Sequence, residues 1–178
     1  MVSARSQFRL RHFCALLAFF VLSVPAAGQI DPDPNSPSPV LLRAGDSKRV
    51  LAVPADGPER VSFTDTPLEA FAPNSRIAVF VRGITLMDGE GASAFRLHAQ
   101  DARGRGYRFP VVDFYKVQAK VPTYALVFDL RDEIGYWDAP ETGDVLLRVS
   151  WRGMTSDRGR LGYGEAGGRI QDDTIPYS

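Results

Sequence analysis

The chain has 178 residues and carries 21 lysines and arginines against 21 aspartates and glutamates, so its formal net charge is zero. A chain without a basic surplus is poorly suited to neutralising phosphates, which disfavours nucleic-acid binding. The single cysteine, Cys14, excludes a disulfide framework within the chain and a metal site built from several thiolates.

Residues 1–28 are predicted to be a secretory signal peptide. Three arginines precede an apolar run from Phe13 to Val24, about a dozen residues, which is too short to span a bilayer comfortably. Ala26 and Gly28 then occupy the −3 and −1 positions of a cleavage site before Gln29. We therefore expect export, with the mature chain in the periplasm, at the cell surface or outside the cell.

Removal of this segment changes the chemistry available to the mature chain. Three of the 21 basic residues leave with it and no acidic residue does, so 18 basic residues face 21 acidic ones, a formal charge of −3. The only cysteine leaves as well, which excludes a cysteine nucleophile and a thiolate metal site. No later run is apolar and long enough to be a membrane span.

The next segment is predicted to be a linker followed by short strands. Residues 29–39 form a Pro-rich linker, because proline at this density gives an extended spacer. Residues 40–42 and 49–53, with a turn at 44–47, are candidate strands, and 60–64 is a third; we expect one or two of them to pack on the core as edge strands.

Residues 40–164 are predicted to form one all-β domain with its core at 76–161. The run from Phe95 to Gln100 alternates apolar and polar residues, which is the pattern of a half-buried strand. The run from Ile77 to Val81 is apolar on both faces, so this strand is expected to be covered on both sides. Short strands separated by turn-rich loops, without amphipathic helices, favour an antiparallel β-sandwich.

A polar run at 101–106 predicts a hairpin loop that needs positive φ, and Pro110 predicts an edge strand or a bulge. The hairpin carries Arg103, Arg105 and Arg108. We interpret these charges as a protection against edge-to-edge aggregation of the strand. Further strands are expected at 124–130, 145–152 and 160–163. Residues 165–178 are predicted to be a disordered tail.

Few residues of this domain indicate catalysis. His98, the only histidine after the predicted cleavage site, lies on the polar face of its strand, which is typical of a solvated histidine rather than of a triad or metal ligand. Residues 162–167 match the pattern G-x-G-x-x-G, but only a short polar tail follows, so we interpret this as a chance match.

Two acidic clusters are interpreted as solvated turns, with a calcium site and a glycoside hydrolase as the functional alternatives. Their members are Asp129, Asp132 and Glu133 in the first, and Asp138, Glu141 and Asp144 in the second. We predict no catalytic residue, no cofactor and no metal ligand.

Two adjacent aromatic residues, Tyr136 and Trp137, are the candidate ligand contacts. They lie in a loop between Gly135 and Gly143. Exposed aromatic rings on such loops stack on sugar rings or anchor a protein partner. Trp137 can instead fold back and close the end of the domain. We prefer this interpretation, because tryptophan side chains are on average highly buried. Trp151, by contrast, is in the inward register of its strand.

Two stretches resemble bacterial secreted immunoglobulin-like domains of the IPT/TIG type. They are Ser93 to Val111 and Gly143 to Leu161, and the resemblance covers about Arg76 to Leu161. In such domains a Gly-Asp-Val strand leads through a glycine turn to a Ser-Asn step. Gly143-Asp144-Val145, Gly153 and Ser156-Asp157 occupy those places here, with aspartate in place of asparagine.

The resemblance implies a non-catalytic role and a chain that can be part of a larger cell-surface protein. We therefore predict an exported immunoglobulin-like β-sandwich that acts as a structural or interaction module and is monomeric. Its partner, a protein or a glycan, is left open. The alternative is a carbohydrate-binding module that uses Tyr136 and Trp137, and a hydrolase built on the acidic loops or His98 is the remote one.

Overall fold

A computed structural model describes residues 38–170. The predicted signal peptide, most of the Pro-rich linker and the end of the predicted tail lie outside these residues. The described part is built from strands and one 3-10 turn at Ala92–Ala94. The strands are β1 Val40–Leu41, β2 Ala52–Pro54, β3 Ala70–Phe71, β4 Arg76–Arg82, β5 Phe95–Gln100, β6 Gly106–Phe109, β7 Val111–Val117, β8 Thr123–Asp129, β9 Gly143–Trp151, β10 Met154–Thr155 and β11 Gly159–Tyr163.

The strands form two sheets. The first sheet has the order β1-β4-β8-β7, with β2 also paired to β4. The second sheet has the order β3-β11-β9-β5-β6, with β10 also paired to β9. All of these strand pairs are antiparallel except β3 with β11. The prediction of an all-β, mainly antiparallel domain is therefore confirmed.

A buried core lies between the two sheets. The ring of Phe95 on β5 stacks on Phe114 of β7 at a centroid distance of 4.7 Å, and Phe109 on β6 stacks on Phe128 of β8 at 5.9 Å. Both pairs join one sheet to the other, so the aromatic side chains supply contact area as well as specific geometry. Burial of each such ring stabilises the fold by about 1.5–3 kcal/mol.

The strand alternation predicted from the sequence is confirmed. The inward residues of β5, β8 and β9 all belong to the core, which includes Phe95, Leu97, Ala99, Leu126, Phe128, Leu130, Val145, Leu147, Val149 and Trp151. The hairpin loop is also confirmed, because β5 ends at Gln100, β6 begins at Gly106 and Gly104 has φ +78°. At Pro110 the chain leaves the edge strand β6 and enters the other sheet.

The outer face of the first sheet carries a second, smaller apolar cluster. It contains Ala78 and Phe80 from β4, and Val61 and Phe63 from the preceding loop pack against it. The Tyr115 hydroxyl accepts a hydrogen bond from the Val61 backbone N–H at 2.8 Å. The expectation that β4 is covered on both sides is thus confirmed, and a loop supplies the outer cover.

One local prediction is wrong, and one strand was not predicted. Residues 60–64 do not form a strand; they turn, with the Ser62 backbone N–H donating to the Asp65 carboxylate at 2.8 Å. Residues 111–117 do form a strand, which the alternation did not indicate. The register shifts between Val111 and Asp113, so the extra residue Val112 breaks the period of two.

The folded region is also larger than the predicted core at 76–161. Leu41, Val50 and Phe71 belong to the buried core from the N-terminal side. Residues 165–170, assigned from the sequence to the tail, include the buried Ile170 and a Gly167 N–H that donates to Asp144. Within residues 38–170 no helix is long and apolar enough to cross a membrane.

Candidate binding loop

The candidate site is the aromatic loop, residues 130–142, which joins β8 of the first sheet to β9 of the second. Its first residue, Leu130, is buried in the core. The chain then leaves the core, and Gly135 has φ +72°, a backbone conformation that residues other than glycine rarely adopt. The loop therefore starts from a fixed point and turns sharply before the two aromatic residues.

The first half of the aromatic loop is tied to the edge strand β6. The Asp132 carboxylate accepts hydrogen bonds from the backbone N–H groups of Arg108 and Gly135, both at 2.8 Å. The Glu133 N–H donates to the Arg108 carbonyl at 2.9 Å. The side chains of Arg108 and Glu133 also form an ion pair. These contacts satisfy backbone groups that an open sheet edge would leave unpaired.

The second half of the loop is tied to the β5–β6 hairpin. Glu141 forms an ion pair with Arg103 at the hairpin tip. The hairpin is itself braced, because the buried Asp101 carboxylate accepts from the Arg105 backbone N–H at 2.9 Å and from the Tyr107 hydroxyl at 2.9 Å. The loop thus runs beside β6 between two attachment points, so the predicted charges of this hairpin hold the loop as well as screen the edge.

The two candidate contact residues lie between these attachment points. Tyr136 is 81% exposed and Trp137 is 49% exposed. Trp137 is therefore half at the surface and half covered, which matches neither a buried closure of the domain end nor a fully exposed ring. Trp151 is 1% exposed and lies in the core, as its register predicts. Whether Tyr136 and Trp137 bind a ligand stays a prediction.

His98 lies on the outer face of the second sheet, as predicted. It is half-buried, and its Nε2 lies 3.2 Å from the Ser150 hydroxyl. Burial lowers the pKa of His98, repulsion from Arg148, Arg108 and Arg96 lowers it further, and Glu133 opposes them. The histidine is thus held largely neutral at pH 7.

Five of the six acidic residues in the two predicted clusters contact different partners, and the sixth, Asp138, is exposed in the aromatic loop. Asp129 pairs with Arg76 at 2.8 Å on the first sheet. The fully buried carboxylate of Asp144 pairs with Arg49 at 2.9 Å on the second. Asp132, Glu133 and Glu141 hold the aromatic loop, as described above. Among residues 38–170 there is no group of three histidine, cysteine, aspartate or glutamate side chains placed to hold a metal ion.

The glycine pattern at 162–167 has a packing role. A Cβ atom on Gly162 would lie 2.6 Å from the Ala70 Cβ and 2.6 Å from the Glu69 carbonyl oxygen. Glycine therefore permits the close approach of β3 to β11. The pattern ends in a turn, and no helix follows it within the described part of the chain.

Sequence reasoning found the two aromatic residues but not their attachment. Arg103 and Arg108 were interpreted as edge charges and Glu133 and Glu141 as solvated turn residues. These residues are more than 20 positions apart, so the pairing depends on the path of the chain between the sheets. The sequence shows only that the hairpin and the aromatic loop carry opposite charges, and this does not specify which residues pair.

No family model matches this chain, and a comparison with curated proteins finds no significant match.

Proposed function

We propose that the protein is an exported, non-catalytic module of the immunoglobulin-like type that works by binding a partner. The strand order supports the fold assignment. The first sheet, β1/β2-β4-β8-β7, corresponds in order to strands A, B, E and D of such a sandwich, and β11-β9-β5 corresponds to G, F and C. β3 pairs in parallel with β11, which closes the edge of the second sheet.

The segment that resembles IPT/TIG domains gives further support. Arg152 and Gly153 both have positive φ, +50° and +82°, in the two-residue turn between β9 and β10. The buried Ser156 hydroxyl then accepts from the Val149 backbone N–H at 2.9 Å and donates to the Asp157 carbonyl at 2.8 Å. The turn glycine and the serine that carry the resemblance thus have structural roles in this hairpin.

The observation that carries the functional proposal is the aromatic loop. Two adjacent aromatic side chains, one mostly exposed and one half-exposed, lie on a loop that ion pairs attach at both ends. Exposing large apolar surface has no stabilising effect on the isolated domain, whereas tyrosine and tryptophan are enriched among residues that dominate binding interfaces. Because the loop is attached at both ends, it loses less conformational entropy when a partner binds.

The proposal is tested by site-specific photo-crosslinking in the producing cell. A photoreactive amino acid placed at Tyr136 is expected to give a discrete covalent adduct. The matched control is the same group at Val121, which is 50% exposed in the loop between β7 and β8. Equal adducts at both positions, or none at Tyr136, would argue against this loop as the contact surface.

A second candidate function is saccharide binding by the same two residues. The 49% exposure of Trp137 favours it, because an aromatic face at the surface can stack on a sugar ring. Saccharide that binds Trp137 is expected to change tryptophan fluorescence, with the change lost in Trp137→Ala. If a panel of cell-wall glycans leaves the fluorescence of the wild type unchanged, this second candidate is withdrawn.

Export is tested by the N-terminus of the protein recovered from outside the cytoplasm. The proposal predicts that sequencing of the recovered chain begins at Gln29. A chain that retains Met1, or that stays in the cytoplasm, would contradict export by a cleaved signal peptide.

A further inference from the structure

The outer face of the second sheet carries a concentration of positive charge, in which Arg108 is shared with the aromatic loop through its ion pair with Glu133. His98 on β5 is the direct cross-strand neighbour of Arg108 on β6 and of Arg148 on β9. One pair further along, Arg96 on β5 faces Ser150 on β9. We call Arg96, His98, Arg108, Arg148 and Ser150 the basic patch.

Arg148 is the member of the basic patch whose charge is least compensated. It is half-buried, and within residues 38–170 it has neither an ion pair nor a side-chain hydrogen bond. Burial and repulsion from Arg158 lower the pKa of its guanidinium. Charges of one sign on neighbouring strands destabilise a sheet. Such an arrangement is expected where an anion is bound in the working state.

The charges on the patch favour a multiply charged anion. The charged groups that act on His98 are Arg96 on its own strand, Arg108 on β6, Arg148 on β9 and Glu133 of the aromatic loop. Arg158 adds a further positive charge near Arg148, so positive charge is in excess even when the histidine is neutral.

The geometry also suits one small, multidentate anion. Arg108 and Arg148 lie two strands apart, about 10 Å between backbones, with His98 between them. Arginine side chains on either side can reach a common oxyanion, which accepts hydrogen bonds from several donors at once.

We propose that the basic patch binds a sulfate- or phosphate-type dianion, with Arg148 and His98 as its principal contacts and Ser150 as a hydrogen-bond donor. Binding would favour the protonated form of His98, so affinity rises as pH falls. The principal contacts, Arg148 and His98, do not hold the aromatic loop, so this proposal and the partner-binding proposal can fail separately. Arg108, which pairs with Glu133, belongs to both surfaces.

Inorganic sulfate is the probe, since it stays a dianion over the titration range of histidine. The His98 ring signals, assigned with His98→Gln, are followed by NMR during a pH titration with sulfate and with sodium chloride at equal ionic strength. Sulfate at saturation is expected to raise the pKa of His98 by about one pH unit. By reciprocity its affinity is expected to be about tenfold higher below the histidine pKa than well above it.

Arg148→Gln is expected to remove most of the sulfate-dependent shift and to leave the fold intact. The matched control is Arg60→Gln, which deletes the same charge beside Tyr115 on the outer side of the first sheet and is expected to respond like the wild type. A sulfated oligosaccharide and its unsulfated counterpart form the second arm. Tighter binding of the sulfated chain assigns the anion to a saccharide, and binding of inorganic sulfate alone assigns it to a free ion.

Two results would overturn the proposal. One is a His98 pKa that is the same in sulfate and in chloride at equal ionic strength. The other is an Arg148→Gln variant, folded by its NMR spectrum, in which sulfate shifts the His98 pKa as it does in the wild type.

Discussion

Asp144 is the residue whose removal is expected to damage the fold most through charge. Its side chain is fully buried, and its two carboxylate oxygens accept from the Arg49 guanidinium at 2.9 and 3.0 Å. The Gly167 N–H donates to the same carboxylate at 2.9 Å, and Arg160 lies 3.7 Å away. The carboxylate therefore joins β9 and β11 to the segment between β1 and β2 and to the chain beyond β11.

The expected loss in Asp144→Ala follows from what stays behind. The Arg49 guanidinium would remain mostly buried with only the exposed carboxylate of Glu69 3.9 Å away. Breaking a buried ion pair in this way costs about 3–5 kcal/mol. That is a large fraction of the roughly 5–15 kcal/mol that stabilises a domain. For about 150 residues the midpoint of thermal unfolding is expected to fall on the order of 10 °C.

Urea unfolding and thermal unfolding measure this loss. Asp144→Asn, which keeps an acceptor for Gly167 but removes the charge, is expected to give an intermediate loss. The control is Asp129→Ala, which breaks the more exposed pair with Arg76 and is expected to change stability far less. A loss below about 1 kcal/mol in Asp144→Ala would refute the reasoning that this pair is buried and bidentate in solution.

Two further predictions concern packing and pH. Gly162→Ala is expected to cost about 1–3 kcal/mol in urea unfolding, because the new methyl group meets β3, whereas Gly106→Ala, with open space around it, serves as the control. Burial, with a hydrogen bond to Asp101, raises the pKa of Tyr107 to about 12. The folded state thus holds this proton more tightly than the unfolded chain, so the free energy of unfolding is expected to fall by about 2 kcal/mol between pH 10 and 12. Tyr107→Phe, compared by urea unfolding across that range, is expected to lack this part of the slope; an unchanged slope would contradict it.

The strands that alternate strictly could be predicted from the sequence, and those with an irregularity could not. β5, β8 and β9 place an apolar side chain inward at every second residue, so their faces follow from the pattern alone. β7 contains one extra residue, Val112, so its inward residues Val111 and Phe114 are three positions apart. A period of three does not identify a strand.

Contacts between distant segments are the part that the sequence did not specify. The run at 60–64 has an apolar-polar alternation, yet it covers the outer face of the first sheet instead of joining it, because that face already presents Phe80 and Tyr115. The position of Trp137 likewise depends on ion pairs to β6 and its hairpin. Local pattern gives the element, while the choice of partner depends on the three-dimensional path of the chain.

Quenching of tryptophan fluorescence by acrylamide reports whether Trp137 is held at the surface for contact while Trp151 is buried in the core. We expect the wild type to contain one readily quenched and one protected tryptophan, and Trp137→Phe to retain only the protected one. Quenching that is equally strong after Trp137→Phe, or a wild type in which neither tryptophan is quenched, would contradict it.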